Sequence, residues 1–255
     1  MAAPFLSVII PSYNELPNLE RGVLEQVLVY LKKQKYSWEV ILTDDGSTDG
    51  SVEALQDFAR QNPNVHFQKN AHKGKGPTVS AGMLRATGQY RLYTDFDQST
   101  PLKEVEKFFA FIDDGYDIII GSRALSGAKR EKEPLHRHLM GKGFNFLVQM
   151  IAVPGIHDTQ CGFKMFSAEA TELLFPNLKI YKGTVRRDAY TGAFDVELLF
   201  LGRRHGYRIA EVPVLWSHNE TNRVSPIKDS LRMLRDILRI RWAGVRGVYR
   251  EPGKN

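Results

Sequence analysis

The sequence predicts an α/β fold, a mostly parallel central sheet flanked by helices in a single domain, and three observations predict it. Short β-branched runs alternate with helix-patterned segments through the first half of the chain. The runs are almost continuously apolar, as strands covered on both faces must be. Each run ends in a polar cluster, and ligands of such sheets collect beyond the carboxyl ends of the strands.

The elements follow in order. "LSVIIP" from Leu6 reads as the first strand, and the pattern then predicts a helix over Asn18–Lys33, with Pro17 at its entry. "WEVILTDD" from Trp38 is the second strand. Gly46 suits the tight turn after it, and Ser47 or Asp49 can cap a helix over Ser51–Gln61. "VHFQKN" from Val65 is the third strand, and Gly74 and Gly76 permit a turn into a helix over Pro77–Thr87. "YRLYTDFD" from Tyr90 and "YDIIIGSR" from Tyr116 are strands on either side of a helix over Leu102–Asp113. Beyond Arg123 the rhythm changes. A charged loop, "LSGAKREKEP", precedes a helical segment from Leu135 to Ala152 and then "GIHDTQCGFKMF". A helix over Val196–Arg204 leads into a last strand in "YRIAEVPVLW". No linker separates these parts, so residues 1–225 are expected to form one domain with halves 6–123 and 124–225, followed by a basic segment, 226–255.

Composition removes several function classes. The 255 residues, 42% hydrophobic, suffice for one sizeable core. The single cysteine, Cys161, excludes an internal disulfide framework and fits a reducing compartment. The N-terminus has no basic leader, and its apolar run, Phe5–Ile10, is too short for a signal peptide. The tract from Phe144 is interrupted by Gln149 and Pro154 and falls short of the ~20 residues of a membrane span. A cytoplasmic protein with at most peripheral membrane contact is expected. The net charge is +6, and Pro226–Arg250, with seven basic and two acidic residues, carries nearly all of it. A nucleic-acid protein spreads such charge over a reading surface with interleaved aromatics, so nucleic acid is disfavoured as a partner.

The stretch "YRLYTDFDQSTP" poses the chemical question. On an extended backbone, residues i and i+2 point the same way, so Asp95 and Asp97 would face one spot and repel. A solvated turn would screen them. A hard divalent cation, Mg²⁺ or Mn²⁺, would instead bind between them and a substrate phosphate. In "PSYNE", Pro11, Tyr13 and Glu15 could hold a base by stacking and hydrogen bonding, or simply form a helix-entry loop. In "DDGSTDG", Ser47, Thr48 and Asp49 suit capping, whereas Asp45 is expected at the edge with no structural task. "HKGKGP" lacks the spacing of a phosphate loop and is read as a turn. Arg123 and Arg137 could each fork onto a diphosphate.

In their order, "VIIPSYNE", "VILTDDGSTDGS", "KGKGPTVSAGMLRATG", "DFD" and "IIIGSRA" resemble family 2 glycosyltransferases with the GT-A fold and its Rossmann-like nucleotide-binding half. "GIHDTQCGFKMF", "FDVELLFLGRRHGYRIAEVPVLW" and "NETNRVSP" look like the polyprenyl-phosphate hexosyltransferase branch, its glucosyl members more than its mannosyl ones. The likeness runs from Leu6 to about Arg241. It implies an inverting, metal-dependent transfer of a hexose from a nucleotide sugar to a polyprenyl or dolichyl phosphate, with UDP-glucose favoured as donor. Residues 6–123 would be the donor half and 124–225 the acceptor half. It implies that Pro11, Tyr13 and Glu15 hold the base and ribose, that Asp45 reads the base, and that Asp95 and Asp97 hold the metal. Arg123 and Arg137 would face donor and acceptor phosphates. Asp158 and Glu197 would line the acceptor side, and Arg223 would lie near the phosphates. The mannosyl branch has a glutamine two residues past the second carboxylate as a further ligand; here that position is Ser99, and the glutamine is Gln98. The alternatives are a GDP-mannose donor or a soluble acceptor.

A lipid acceptor would account for the C-terminal charge. Wound as a helix, Ile227–Tyr249 puts Ile227, Leu231, Leu234, Leu238, Trp242, Val245 and Tyr249 in one stripe. Lys228, Arg232, Arg235, Arg239, Arg246 and Arg250 lie on the adjoining face. Ser225 and Pro226 supply its cap and first turn. Such a helix can lie among lipid headgroups, pack on the domain, or meet a partner, either a second copy or a separate membrane-anchor subunit.

Overall fold

The computed structural model describes residues 3–131, 148–149, 151–180, 193–217 and 226–249. The strands are β1 (Leu6–Ser12), β2 (Trp38–Asp44), β3 (Val65–Lys69), β4 (Tyr90–Thr94), β5 (Ile118–Ser122), β6 (Lys129–Glu131), β7 (Phe163–Ser167), β8 (Ile209–Pro213) and β9 (Leu215–Ser217). Seven of them make one sheet in the order β3-β2-β1-β4-β7-β5-β8, and β6 pairs with β9 in a parallel ribbon. Within the large sheet only β7 runs against its neighbours. The carboxyl ends of the other six therefore share one edge, and β7 begins at that edge.

The strands divide their side chains between two cores with the expected period of two. Leu6, Val8 and Ile10 of β1 face one cluster, with Leu24, Leu28, Leu55 and Phe108. Those four come from helices α2 (Val23–Leu31), α3 (Ser51–Gln61) and α5 (Glu106–Asp113). Ile9 of β1 and Ile41 of β2 face the other cluster, with Val79, Met83, Leu174 and Leu198. These belong to α4 (Lys75–Arg85), α6 (Ala168–Leu174) and α7 (Phe194–Arg204). The sheet is thus covered on both faces.

Three expectations need correction. The helix anticipated over Asn18–Lys33 is two helices, α1 (Leu16–Glu20) and α2, because Gly22 adopts φ 71°, which a right-handed helix cannot continue. The segment Leu102–Asp113 starts as a 3₁₀ turn, Leu102–Val105, before α5. Strand β7, which no alternation had announced, lies in the middle of the sheet. Its pattern was hidden by Lys164, a charged residue that is fully buried. Most of the helical segment anticipated over Leu135–Ala152 lies outside the described residues.

The C-terminal helix α8 (Pro226–Val245) forms, with a different inner face from the stripe the sequence singled out. Ile237, Ile240 and Ala243 are buried, and Gly244 lies against the Phe200 ring of α7. Leu231, Leu238, Trp242 and Val245 instead point outward, each more than half exposed. Tyr249 of that stripe turns in, packing its ring on Phe200 and donating its hydroxyl to Glu197 Oε1 at 2.8 Å. Among the described residues no helix is long and apolar enough to cross a membrane.

Candidate active site

The parallel edge gathers the polar clusters. Pro11 and Ser12 end β1 beside Thr43 and Asp44 of β2. The loop after β1 is tied to the loop after β2: the Asn14 amide donates to Ser47 Oγ at 2.8 Å and the Glu15 amide to Ser51 Oγ at 2.9 Å. Asp44 accepts from the Gly46 and Ser47 amides, and Asp49 caps both Leu16 and Ser51. Glu15 accepts from the Asn18 side chain. Of the capping candidates in this loop, Asp49 bonds the first amide of α3 although Gly50 is the N-cap residue, Ser47 ties the two loops together instead, and Asp44 is the turn's main acceptor.

Asp45 does not stand idle, as the sequence suggested. Its carboxylate, 4% exposed, accepts from the Lys73 amide at 2.8 Å, the Gly74 amide at 2.9 Å and the Thr78 hydroxyl at 2.8 Å. The His72 Nδ1 lies 2.9 Å away. A buried carboxylate must be hydrogen-bonded, and the 72–78 turn supplies the donors. Asp45 thereby fixes the entry of α4 onto β2. The His72 ring stacks on Tyr13, with centroids 4.4 Å apart and planes 14° from parallel. Both rings are about one third exposed, so an aromatic shelf stands above Asp45.

The Asp95–Asp97 pair is not on an extended strand. β4 stops at Thr94, and Gln98, with φ 50°, closes a turn by donating its amide to the Asp95 carbonyl at 3.2 Å. Alternation along a strand therefore does not describe how these carboxylates are aimed. Asp97 is set by Ser99, whose amide and hydroxyl each donate to it at 2.9 Å. Asp95 meets the Lys75 ammonium, from the first residue of α4. Burial would push the Lys75 ammonium down, yet Asp95, Asp195 and Asp97 outweigh it and hold its pKa above the ordinary lysine value. On its other side Asp95 leans on Gly162, where an added Cβ would fall 2.1 Å from Oδ2. Only glycine leaves room for the carboxylate there.

Beneath this pair lies a buried polar cluster. Lys164 Nζ is 2.7 Å from Asp195 Oδ1, donates to the Cys161 carbonyl and sits 5.5 Å from the centre of the Tyr93 ring. The Tyr93 hydroxyl donates to the same Asp195 oxygen. Each buried charge here has a partner of opposite sign, as burial demands.

Farther along the edge, Arg123 and Asp158 form a forked pair, Nε to Oδ2 at 2.7 Å and Nη2 to Oδ1 at 2.9 Å. The Arg123 amide adds a third bond at 2.9 Å. Burial would raise the Asp158 pKa, but Arg123 outweighs it and lowers the value to about 2. Asp158 is fully buried, so it aims Arg123 and does not itself line an acceptor surface. The guanidinium lies 5.2 Å from the centre of the Trp216 ring. Glu197 is also fully buried, accepting from the Lys179 and Ile180 amides and from Tyr249; it braces the core and does not border a cleft among the described residues. Arg137 and Arg223 lie outside the described residues.

The sequence reading missed Lys75, His72 and the Lys164–Asp195 pair. "HKGKGP" had been tested only against a phosphate-loop spacing. Its second lysine, Lys75, carries a usable signal, because an acidic doublet at a neighbouring strand end needs a cation. Among the described residues no group of three or more His, Cys, Asp or Glu converges as a metal cluster. A divalent ion here would therefore rest on Asp95, Asp97 and oxygens from a ligand. The site fits such an ion: Asp95 already meets a cation, and Gln98 Oε1 is buried without a hydrogen-bond partner among the described residues.

A family model for glycosyl transferase family 2 matches residues 7–175. The chain belongs to glycosyl transferase family 2. It is 34% identical to a dolichyl-phosphate β-glucosyltransferase of Dictyostelium discoideum over 96% of this chain and 76% of that one. It is 33% identical to the human dolichyl-phosphate β-glucosyltransferase over 96% of this chain and 77% of that one. Among solved structures it resembles glucosyl-3-phosphoglycerate synthase from Mycobacterium tuberculosis, in complex with Mn²⁺, UDP and glucosyl-3-phosphoglycerate. That likeness has a TM-score of 0.58 at 15% identity and covers 94% of this chain and 80% of the other. It bears on the fold alone and agrees with the GT-A architecture expected from the sequence. This family 2 chain is a glycosyltransferase.

Proposed function

We propose that this glycosyltransferase moves glucose from UDP-glucose to the phosphate of a long polyprenol such as dolichol, with inversion, at the cytoplasmic face of a membrane. The observation that carries this reading is likeness over nearly the whole chain to relatives named dolichyl-phosphate β-glucosyltransferases. Tyr13 and Glu15, with the Tyr13–His72 shelf, would receive the base and ribose of the donor. Asp45 would act there through the His72 ring it positions. Asp95 and Asp97 would hold Mg²⁺ or Mn²⁺, which when bound supplies positive charge to the departing diphosphate. Arg123, aimed by Asp158 and Trp216, would add a cation to the same polar edge.

The acceptor phosphate is an anion at neutral pH, so the attack needs little help from a base. Asp158, with its pKa near 2 and its oxygens held by Arg123, does not accept a proton there. The outward stripe of α8 would meet the membrane. Leu231, Leu238, Trp242 and Val245 are exposed, Arg235, Arg239 and Arg241 stand exposed on the same helix, and the Arg246 guanidinium lies 4.5 Å from the centre of the Trp242 ring. Apolar side chains can enter the headgroup layer while each arginine near anionic lipid adds about 1 kcal/mol.

The test is direct. Protein, Mn²⁺ or Mg²⁺, and UDP-glucose or GDP-mannose are incubated with a polyprenyl phosphate, and the glycolipid is identified by mass. Glucose on the polyprenyl phosphate is expected; transfer from GDP-mannose alone, or only to soluble acceptors, overturns the reading. For the helix, Leu238→Glu with Trp242→Glu should abolish flotation with vesicles of phosphatidylcholine and phosphatidylserine. Unchanged flotation, or a dimer in solution that the double variant splits, would assign the stripe to something other than lipid.

A further inference from the structure

We propose that Lys75 is a resident counter-cation for Asp95, which the divalent ion must displace, so that the ion binds tightly only together with the donor's diphosphate. This inference rests on the metal reading above and concerns what that site does before and during loading.

The contact itself is the first argument. The Lys75 ammonium lies on Asp95 Oδ1, on a carboxylate expected to hold the ion. An ammonium and a dication repel each other, so each weakens the other's hold on the same carboxylate. The second argument is exchangeability. The Lys75 and Asp95 side chains are 27% and 36% exposed, so water and ions reach the pair. The third is the rigidity of the chain around it. The Lys73 and Gly74 amides are fixed on Asp45, and Lys75 is the first residue of α4. Only the side chain of Lys75 has to move, swinging on flexible methylenes while the backbone stays.

The fourth argument concerns where the ammonium can go. Asp195 already holds Lys164 at 2.7 Å and accepts from Tyr93, both on Oδ1, so its charge is matched by a buried cation. Asp97 is engaged by Ser99 through both oxygens. Without donor, a displaced ammonium gives up its contact with Asp95 while the ion takes up the charge of Asp95 and Asp97, so the ion's entry is opposed. A donor diphosphate brings new anionic oxygens to the same edge and accepts the ammonium that the ion releases. Binding of ion and diphosphate is then coupled, and by linkage the coupling is the same in both directions. Lys75 would also keep the two aspartates from repelling one another in the unloaded protein.

The experiment measures Mn²⁺ affinity of the whole chain by electron paramagnetic resonance of the unbound ion, with and without saturating UDP. In the wild type, UDP should tighten Mn²⁺ binding about 10-fold or more, within the usual span of coupling between sites. Lys75→Met should tighten Mn²⁺ binding in the absence of UDP by about 10-fold and remove most of the UDP effect. A residue with a purely structural role would not yield tighter metal binding when removed. Lys75→Gln, of similar polarity to the native side chain, is measured alongside, with thermal melts to establish that each variant is folded. Lys75→Arg, which keeps the charge, should retain weak binding without UDP. Binding of Mn²⁺ that is no tighter in both neutral variants overturns this inference and leaves the metal reading standing. Failure of the wild type to bind Mn²⁺ even with UDP overturns both.

Discussion

Two ion pairs on the same sheet edge invite comparison: Arg123–Asp158 and Lys75–Asp95. In the first, a fully buried carboxylate takes two guanidinium bonds and an amide, and its cation is flanked by a tryptophan ring. In the second, one ammonium touches one oxygen, and both side chains are about a third exposed. A planar fork bound at two points fixes direction, whereas an ammonium on a flexible stem is a movable point charge. Opposite charges in contact therefore do different jobs according to burial and geometry. The buried pair aims a group that stays put, and the exposed pair holds a place until something else takes it.

The largest effect expected from this contrast is on transfer. Asp95→Ala together with Asp97→Ala should lower glucosyl transfer by about 10³-fold or more, the scale of losing a preorganised charge stabiliser. The melting temperature should change little, since neither carboxylate is fully buried. Transfer within a few-fold of the wild type would remove the metal from the account and erase the distinction between the pairs. Asp158→Ala should lower stability as well. Stranding a partly buried guanidinium costs about 3 kcal/mol, or some 6–12 °C in melting temperature for a domain of this size. A variant that melts within 2 °C of the wild type would show that the fork does not hold Arg123.

The sequence made the architecture legible and the site only in part. Strands β1, β2, β4 and β5 announced themselves because burial on both faces demands largely apolar runs, the half-buried edge strands β3 and β8 were still legible, and helix α3 fell at its expected bounds. β7 did not, since Lys164 interrupts its run and its compensating anion, Asp195, lies 31 residues away. The same distance effect hid the task of Asp45. Its donors come from residues 72–78, and nothing local says that this turn folds back over the end of β2. The acidic doublet was read as a solvated turn or a divalent-cation site; the structure puts the Lys75 ammonium on Asp95, and strand alternation gave the wrong geometry. Gln98 in a left-handed conformation has no signature beyond its own name. Periodicity also found the outward stripe of α8 and overlooked the inner one. Helix α8 has apolar residues on two faces, and only the packing of Phe200 decides which one turns in.

Acid sharpens the comparison next. The pKa of Asp158 is lowered in the folded protein to about 2 from an ordinary value near 3.8. A group depressed in the folded state contributes stability above its unfolded pKa and loses it as pH falls through the folded one. The contribution, about 2 kcal/mol from that shift, should be whole above pH 4 and vanish towards pH 2. The stability gap between wild type and Asp158→Asn, followed by chemical denaturation, should narrow over that interval. A gap that stays constant from pH 5 to pH 2.5 would mean that the fork is not what Asp158 contributes.

The smallest expected effect is the most discriminating. Lys75→Gln removes a charge from the same edge as Arg123→Gln, and both leave an aspartate without its cation. In Arg123→Gln the carboxylate left behind is buried, so a loss near 3 kcal/mol is expected. In Lys75→Gln the carboxylate left behind is Asp95, open enough for water to solvate it, and exposed pairs contribute at most about 1 kcal/mol. Removal of Lys75 also relieves nothing elsewhere, because Asp195 keeps Lys164. Melting of Lys75→Gln should therefore fall within about 4 °C of the wild type, while Arg123→Gln drops well below it. Were the two variants equally destabilised, Lys75 would be a structural cation like Arg123, with no reason to give way to an ion. A pair that contributes little to folding yet sits on the site's own carboxylate is one that the fold can release.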